Sequence, residues 1–214
     1  MRKNTSNLRF DLLTAAQKQI FSDLGKIVPN GILGGGTAIM LLLGHRKSFD
    51  FDVFLKTSIK KQFLVGLKTF FGAKLQRPLV DSADELSLQI MSDIKLSFIY
   101  FPFKPLHHLI ATDSISLFTK EDLASNKAYV IGRRGAWRDY VDFFCLLNSG
   151  LNFSKVIDDA KKRFSGAFSE KLLLAQLTYF GDITDFTVEY VGRDYKPKEI
   201  QEYFEKLVKK HLSS

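Results

Sequence analysis

The chain has 214 residues, 45% of them hydrophobic and 25% charged, which fits one domain or one with a small appendage and excludes wholesale disorder. One cysteine, Cys145, excludes an intramolecular disulfide or a cysteine zinc cage. The 31 Lys and Arg against 23 Asp and Glu give a net charge of +8, suited to a nucleotide, a nucleic acid or another polyanion.

In chain order, Leu12 to Val28 has apolar residues at three- and four-residue steps and reads as a helix, closed by Pro29-Asn30-Gly31. A very short apolar run, Ile32-Leu33, meets Gly34-Gly35-Gly36, and Thr37 to Leu43 resumes as a helix. Ser48 to Leu55 alternates and reads as a strand, Lys60 to Phe71 as a helix, and Lys74 to Phe101 as two or three strands. After a short strand in Ser114 to Phe118, helices follow at 120–131, 136–148, 153–165, 169–179 and 197–211, with Thr119 and Asp122 set as a capping box. The segregation predicts an α+β fold: a mixed sheet with flanking helices over residues 1–118, then a helical half over 119–214 packed on it. The chain has no run of about 18 apolar residues, and its start lacks an apolar h-region. The expected setting is therefore cytoplasmic, with no membrane partner.

The informative stretch is Leu33 to Phe54. Three glycines between a buried strand and a helix let the backbone approach a ligand, and the helix start favours a phosphate. A phosphate-loop pattern begun at Gly31 needs Lys where Thr37 stands, and a dinucleotide pattern begun at Gly34 finds Ile39 at its third glycine. A plain turn is the alternative. Asp50 and Asp52 follow, two apart on the expected strand, so both carboxylates project from one face. Such a pair is either a solvated edge or a hard-oxygen site for Mg²⁺ or Mn²⁺, and the apolar neighbours Phe49, Phe51, Val53 and Phe54 favour the site.

Strand, Gly-Gly, helix and D-x-D in this order resemble the polymerase-β-like nucleotidyltransferase fold. In detail, Gly35-Gly36-Thr37-Ala38 and His45-Arg46-Lys47-Ser48-Phe49-Asp50-Phe51-Asp52 resemble the AbiEii-type nucleotidyltransferase toxins of bacterial abortive-infection and toxin–antitoxin systems. A second block, Lys127 with Arg138-Asp139-Tyr140-Val141-Asp142, is similar to that family too, and Leu174–Phe180 with Gly181-Asp182 loosely resembles its C-terminal helices. The resemblance implies that Gly35, Gly36 and Thr37 hold the nucleotide triphosphate, that Asp50 and Asp52 bind the metal, and that Lys127 contacts the nucleotide or its phosphates. It also implies that Asp139 completes the site, with Arg46 and Ser48 bracing the loop. The third carboxylate common in such enzymes falls at Ser97, with Asp93 and Asp139 as candidate substitutes.

Read without the resemblance, Arg138 and Asp142 are spaced as a surface ion pair. Trp137, Tyr140, Val141 and Phe144 form a core stripe, His45 is a cation at a helix end, His107-His108 lacks metal-ligand spacing, and Cys145 is a small buried hydrophobe. The expected activity is Mg²⁺- or Mn²⁺-dependent transfer of a nucleoside monophosphate from an NTP to an acceptor, with RNA or tRNA as acceptor and a cognate antitoxin as protein partner. The alternatives are a catalytically dead nucleotide- or RNA-binding module and a small-molecule transferase of aminoglycoside type, which the basic balance disfavours.

Overall fold

The computed structural model describes residues 7–90 and 94–213. They form two compact units. The first holds the chain up to Leu42, Ser48–Lys104 and His108–Phe118; the second holds Leu43–Lys47, Pro105–His107 and everything from Thr119.

In the first unit, α1 (Ala15–Ile27) starts at Thr14, whose hydroxyl accepts from the Gln17 backbone while the Gln17 side chain accepts from the Thr14 backbone. This capping box, preceded by a single 3₁₀ turn at Phe10–Leu12, makes the helix start later than apolar spacing alone predicts. Then come β1 (Ile32–Gly34), α2 (Gly35–Leu43), β2 (Phe51–Leu55), α3 (Lys61–Phe71), β3 (Leu75–Asp81), β4 (Glu85–Ile90), β5 (Ile94–Tyr100) and β6 (Ser116–Leu117). The mixed sheet has the order β3-β4-β5-β2-β1-β6, with β1–β6 and β2–β5 parallel and the other pairs antiparallel.

Strand alternation divides its central face cleanly. Phe51, Val53, Leu86, Leu88, Leu96 and Phe98 are buried on one side. Asp52, Ser97, Ser87 and Glu85 share the other, because Asp52 pairs with Ser97, Ser97 pairs with Ser87, and Glu85 lies two residues along β4. The strand predicted from Ser48 is shorter than expected. The carbonyls of Ser48 and Asp50 accept side-chain bonds, from Gln17 Nε2 at 2.9 Å and from the Thr37 hydroxyl respectively. Asp50 therefore precedes β2, and the two-residue period does not fix its carboxylate on the face of Asp52.

The second unit contains α4 (Lys120–Ile131), α5 (Trp137–Asn148), α6 (Phe153–Phe164), α7 (Glu170–Gln176) and α8 (Pro197–Leu212). Helix α4 packs on α5, α6 and α7, and α5 on α8. Its core is aromatic: Phe143 stacks on Phe204 with centroids 5.9 Å apart, and the predicted stripe of Trp137, Tyr140, Val141 and Phe144 is buried. Residues 45–47 join this unit through backbone bonds to 189–191, with Val191 N–H donating to the His45 carbonyl and Lys47 N–H to that of Glu189.

Thr119 accepts from the Asp122 backbone, but Asp122 does not reciprocate as a capping box requires. Its carboxylate instead accepts from the backbone of Leu106 and His107 and from Arg163 at 3.2 Å. An aspartate is too short to reach back to the cap and is recruited by a stronger, buried cation.

Candidate active site

The site grows from the junction of β1 and α2. Gly35 has φ +62°, and a Cβ there would lie 2.0 Å from Asp52 Oδ2. Gly34 pairs with Asp52, and a Cβ on it would lie 2.4 Å from the Phe54 ring. Both glycines are therefore required by close approach, Gly35 also by its backbone. The result is a carboxylate laid against the turn that opens a nine-residue helix, where backbone N–H groups lack intrahelical partners and the dipole is positive.

Gly36 and Thr37 continue the first turn of α2. The Thr37 side chain is fully buried, 3.0 Å from Ser48 Oγ and donating to the Asp50 carbonyl. Ser48 is tied again through its N–H to Met40 Sδ at 3.3 Å. Thr37 and Ser48 thus hold the chain on which Asp50 sits, and the Thr37 hydroxyl is committed to the Asp50 carbonyl.

A hard carboxylate beside a helix start, here that of Asp52 against Gly35, suits Mg²⁺, which keeps several waters and takes phosphate oxygens. Among the described residues, no group of three His, Cys, Asp or Glu side chains is placed to hold a metal. Ser97 stands directly across from Asp52 in the register. Of the candidate substitutes, Asp93 lies outside the described residues and Asp139 belongs to the second unit.

The second unit gathers Lys127, Asp139, Asp142, Arg46 and His45. Arg46 donates Nε to Asp142 Oδ1 at 2.7 Å and Nη2 to Oδ2 at 2.8 Å, while His45 Nε2 lies 2.7 Å from Oδ1. Lys127 Nζ reaches Asp139 Oδ1 at 2.6 Å and Asp142 Oδ2 at 2.7 Å. All five residues are buried. Burial pushes the Asp142 carboxyl up, but the Lys127 and Arg46 charges, with hydrogen bonds from His45 and Arg46, hold it well below the usual carboxylate range. Burial likewise opposes the charge on Lys127, and Asp139 and Asp142 outweigh it, raising its value.

These placements correct one reading outright. Asp142 is fully buried between Arg46 and Lys127 while Arg138 is exposed, so the two do not form a surface pair. Arg46 braces Asp142 in the second unit. His45 is a structural partner of the same carboxylate, and Cys145 is a buried thiol pushed up to about 12 by burial and the nearby Asp142 charge. His107, unassigned from sequence, lies 3.3 Å from Asp159. Gln17, and Ser87 and Glu85 beside Ser97 on the sheet, were not foreseen from sequence. The Thr-x-x-Gln spacing and the serines between apolar neighbours were the available signals.

A family described as "Nucleotidyl transferase AbiEii toxin, Type IV TA system" matches residues 26–211. An uncharacterized protein of Aquifex aeolicus (strain VF5) is 30% identical over 203 residues, spanning 89% of this chain and 95% of the relative. Among solved structures, the chain is similar to MenT4, a nucleotidyltransferase toxin from Mycobacterium tuberculosis. The TM-score is 0.64 at 14% identity, covering 90% of this chain and 80% of that one. It is also similar to the antibiotic-resistance factor ANT(2'')-Ia, with a TM-score of 0.51 at 15% identity over 70% of this chain and 92% of the other. At these identities the solved structures speak for the nucleotidyltransferase fold.

Proposed function

The chain belongs to the AbiEii nucleotidyltransferase toxin family, and from that premise we propose that it moves a nucleoside monophosphate from an NTP to RNA, tRNA ends included. It acts as the toxin of a bacterial toxin–antitoxin or abortive-infection system that supplies a cognate antitoxin. The observation that carries the reading is the corner of Gly34, Gly35 and Asp52, where the missing Cβ of Gly35 leaves room for a carboxylate against a helix start. That corner suits a triphosphate held by backbone N–H groups with Asp50 and Asp52 holding Mg²⁺ or Mn²⁺. The ion supplies charge neutralisation at the reacting phosphate when bound. The chain's own part is to fix the phosphates in line with the acceptor hydroxyl. The net charge of +8 favours a polyanionic acceptor over a cationic small molecule.

Lys127 and Asp139 enter through the second block of the resemblance, which assigns Lys127 to the nucleotide and Asp139 to completing the site. A second reading, a nucleotide-binding module without turnover, draws on Ser97 at the place of a third acid. Incubation with α-phosphate-labelled NTPs, Mg²⁺ and total RNA separates the two. Label in RNA with pyrophosphate release supports transfer; calorimetric NTP binding without label transfer supports the module. No helix among the described residues is long and apolar enough to cross a membrane.

A further inference from the structure

The polar face of the sheet carries a row that starts at Asp52 and continues through residues the transfer reading leaves without a catalytic part. Glu85, Ser87, Ser97 and Asp52 lie side by side across β4, β5 and β2. The Ser87 hydroxyl donates to Glu85 Oε1 at 2.6 Å, and the Ser87 and Ser97 oxygens are 2.9 Å apart. Ser87 and Ser97 are both buried, while Glu85 and Asp52 are half-buried.

The direction of this chain is set by proton counting. A carboxylate only accepts, and a serine hydroxyl has one proton. With the Ser87 proton on Glu85, the bond between the serines is donated by Ser97. The Ser97 oxygen is then left with lone pairs at the strand position beside Asp52. Three groups so aligned form a path for a proton from Asp52's neighbour on β5 to a carboxylate on β4.

We propose that Ser97, Ser87 and Glu85 form the proton relay for the acceptor hydroxyl, in place of a third carboxylate at Ser97. The inference rests on the transfer reading above. As the acceptor oxygen bonds to the α-phosphorus, the bond from that phosphorus to the bridging oxygen breaks and pyrophosphate leaves with the electron pair. The acceptor's proton passes to Ser97 Oγ, the Ser97 proton to Ser87 Oγ, and the Ser87 proton to Glu85. Among the described residues Glu85 belongs to no group of three His, Cys, Asp or Glu side chains placed to hold a metal, and its carboxylate accepts from Ser87, so the part assigned to it is protonic. The ionisable groups on the strands paired with β4 are Arg77 and Asp81 on β3 and Lys95 and Tyr100 on β5.

The test compares wild type, Glu85→Gln, Ser97→Ala and Ser97→Thr, reading labelled-NTP transfer to total RNA and NTP affinity by calorimetry. General-base assistance contributes about a hundredfold or more. Glu85→Gln and Ser97→Ala should therefore lose at least tenfold in turnover with unchanged Kd, and Ser97→Thr should retain turnover. Glu85→Gln or Ser97→Ala with wild-type turnover overturns the relay and leaves the transfer reading standing. A folded wild type that neither transfers label nor binds NTP removes both.

Discussion

Gly35 is the residue on which the site depends most directly. Its φ of +62° is a left-handed conformation that costs an L-residue about 1–2 kcal/mol, and a Cβ would meet Asp52 Oδ2 at 2.0 Å. Gly35→Ala should therefore displace the carboxylate, lower stability by at least that amount, and abolish NTP binding in calorimetry. Retained affinity in a folded variant would reduce the glycines to a turn. Asp142 makes the opposite kind of prediction, about pH. Its carboxyl is held below the ordinary 3.8, so the ionised form contributes stability in full above that value. The contribution fades as pH falls from 3.8 through the lower folded value. Asp142→Asn should lose about 3–5 kcal/mol near neutral pH, because Lys127 and Arg46 keep their buried charges with one partner fewer. It should also show a shallower decline in acid, as read by urea unfolding at stepped pH.

At the level of elements, the packing of α4 on α6 contains a second buried pair. Arg163 Nη1 donates to the Asp122 carboxylate at 3.2 Å, to the Asp122 carbonyl at 2.9 Å and to Ser125 Oγ at 3.1 Å. Burial lowers the Arg163 value to about 10, against the raising effect of Asp122. Arg163→Ala should destabilise by about 3–5 kcal/mol, visible as an earlier denaturation midpoint with little change in slope; a loss under about 1 kcal/mol would mean the pair is dispensable. Element boundaries that follow apolar period were legible from sequence, as for Lys61–Phe71 and Trp137–Asn148. Those set by side chains bonding to backbone were not. The Gln17 and Thr37 bonds that delay β2 join residues 31 and 13 apart, a separation no local window spans. Glu85, Ser87 and Ser97 likewise align only through strand register.

For the whole molecule, the family and the mixed sheet with flanking helices were legible, since Gly35-Gly36-Thr37-Ala38 with Asp50 and Asp52 is a local string. The burial of Asp142 was not, because its partners Arg46 and Lys127 come from distant stretches. The central claim, that nucleotidyl transfer takes place at the Gly35–Asp52 corner, is tested most directly by comparing wild type with Asp52→Asn. The measurement is the rate of label transfer from NTP to total RNA with Mg²⁺, with circular dichroism as the check on folding. The account predicts transfer by wild type and at least a hundredfold slower transfer by a folded Asp52→Asn variant. Equal rates in the two proteins would contradict it.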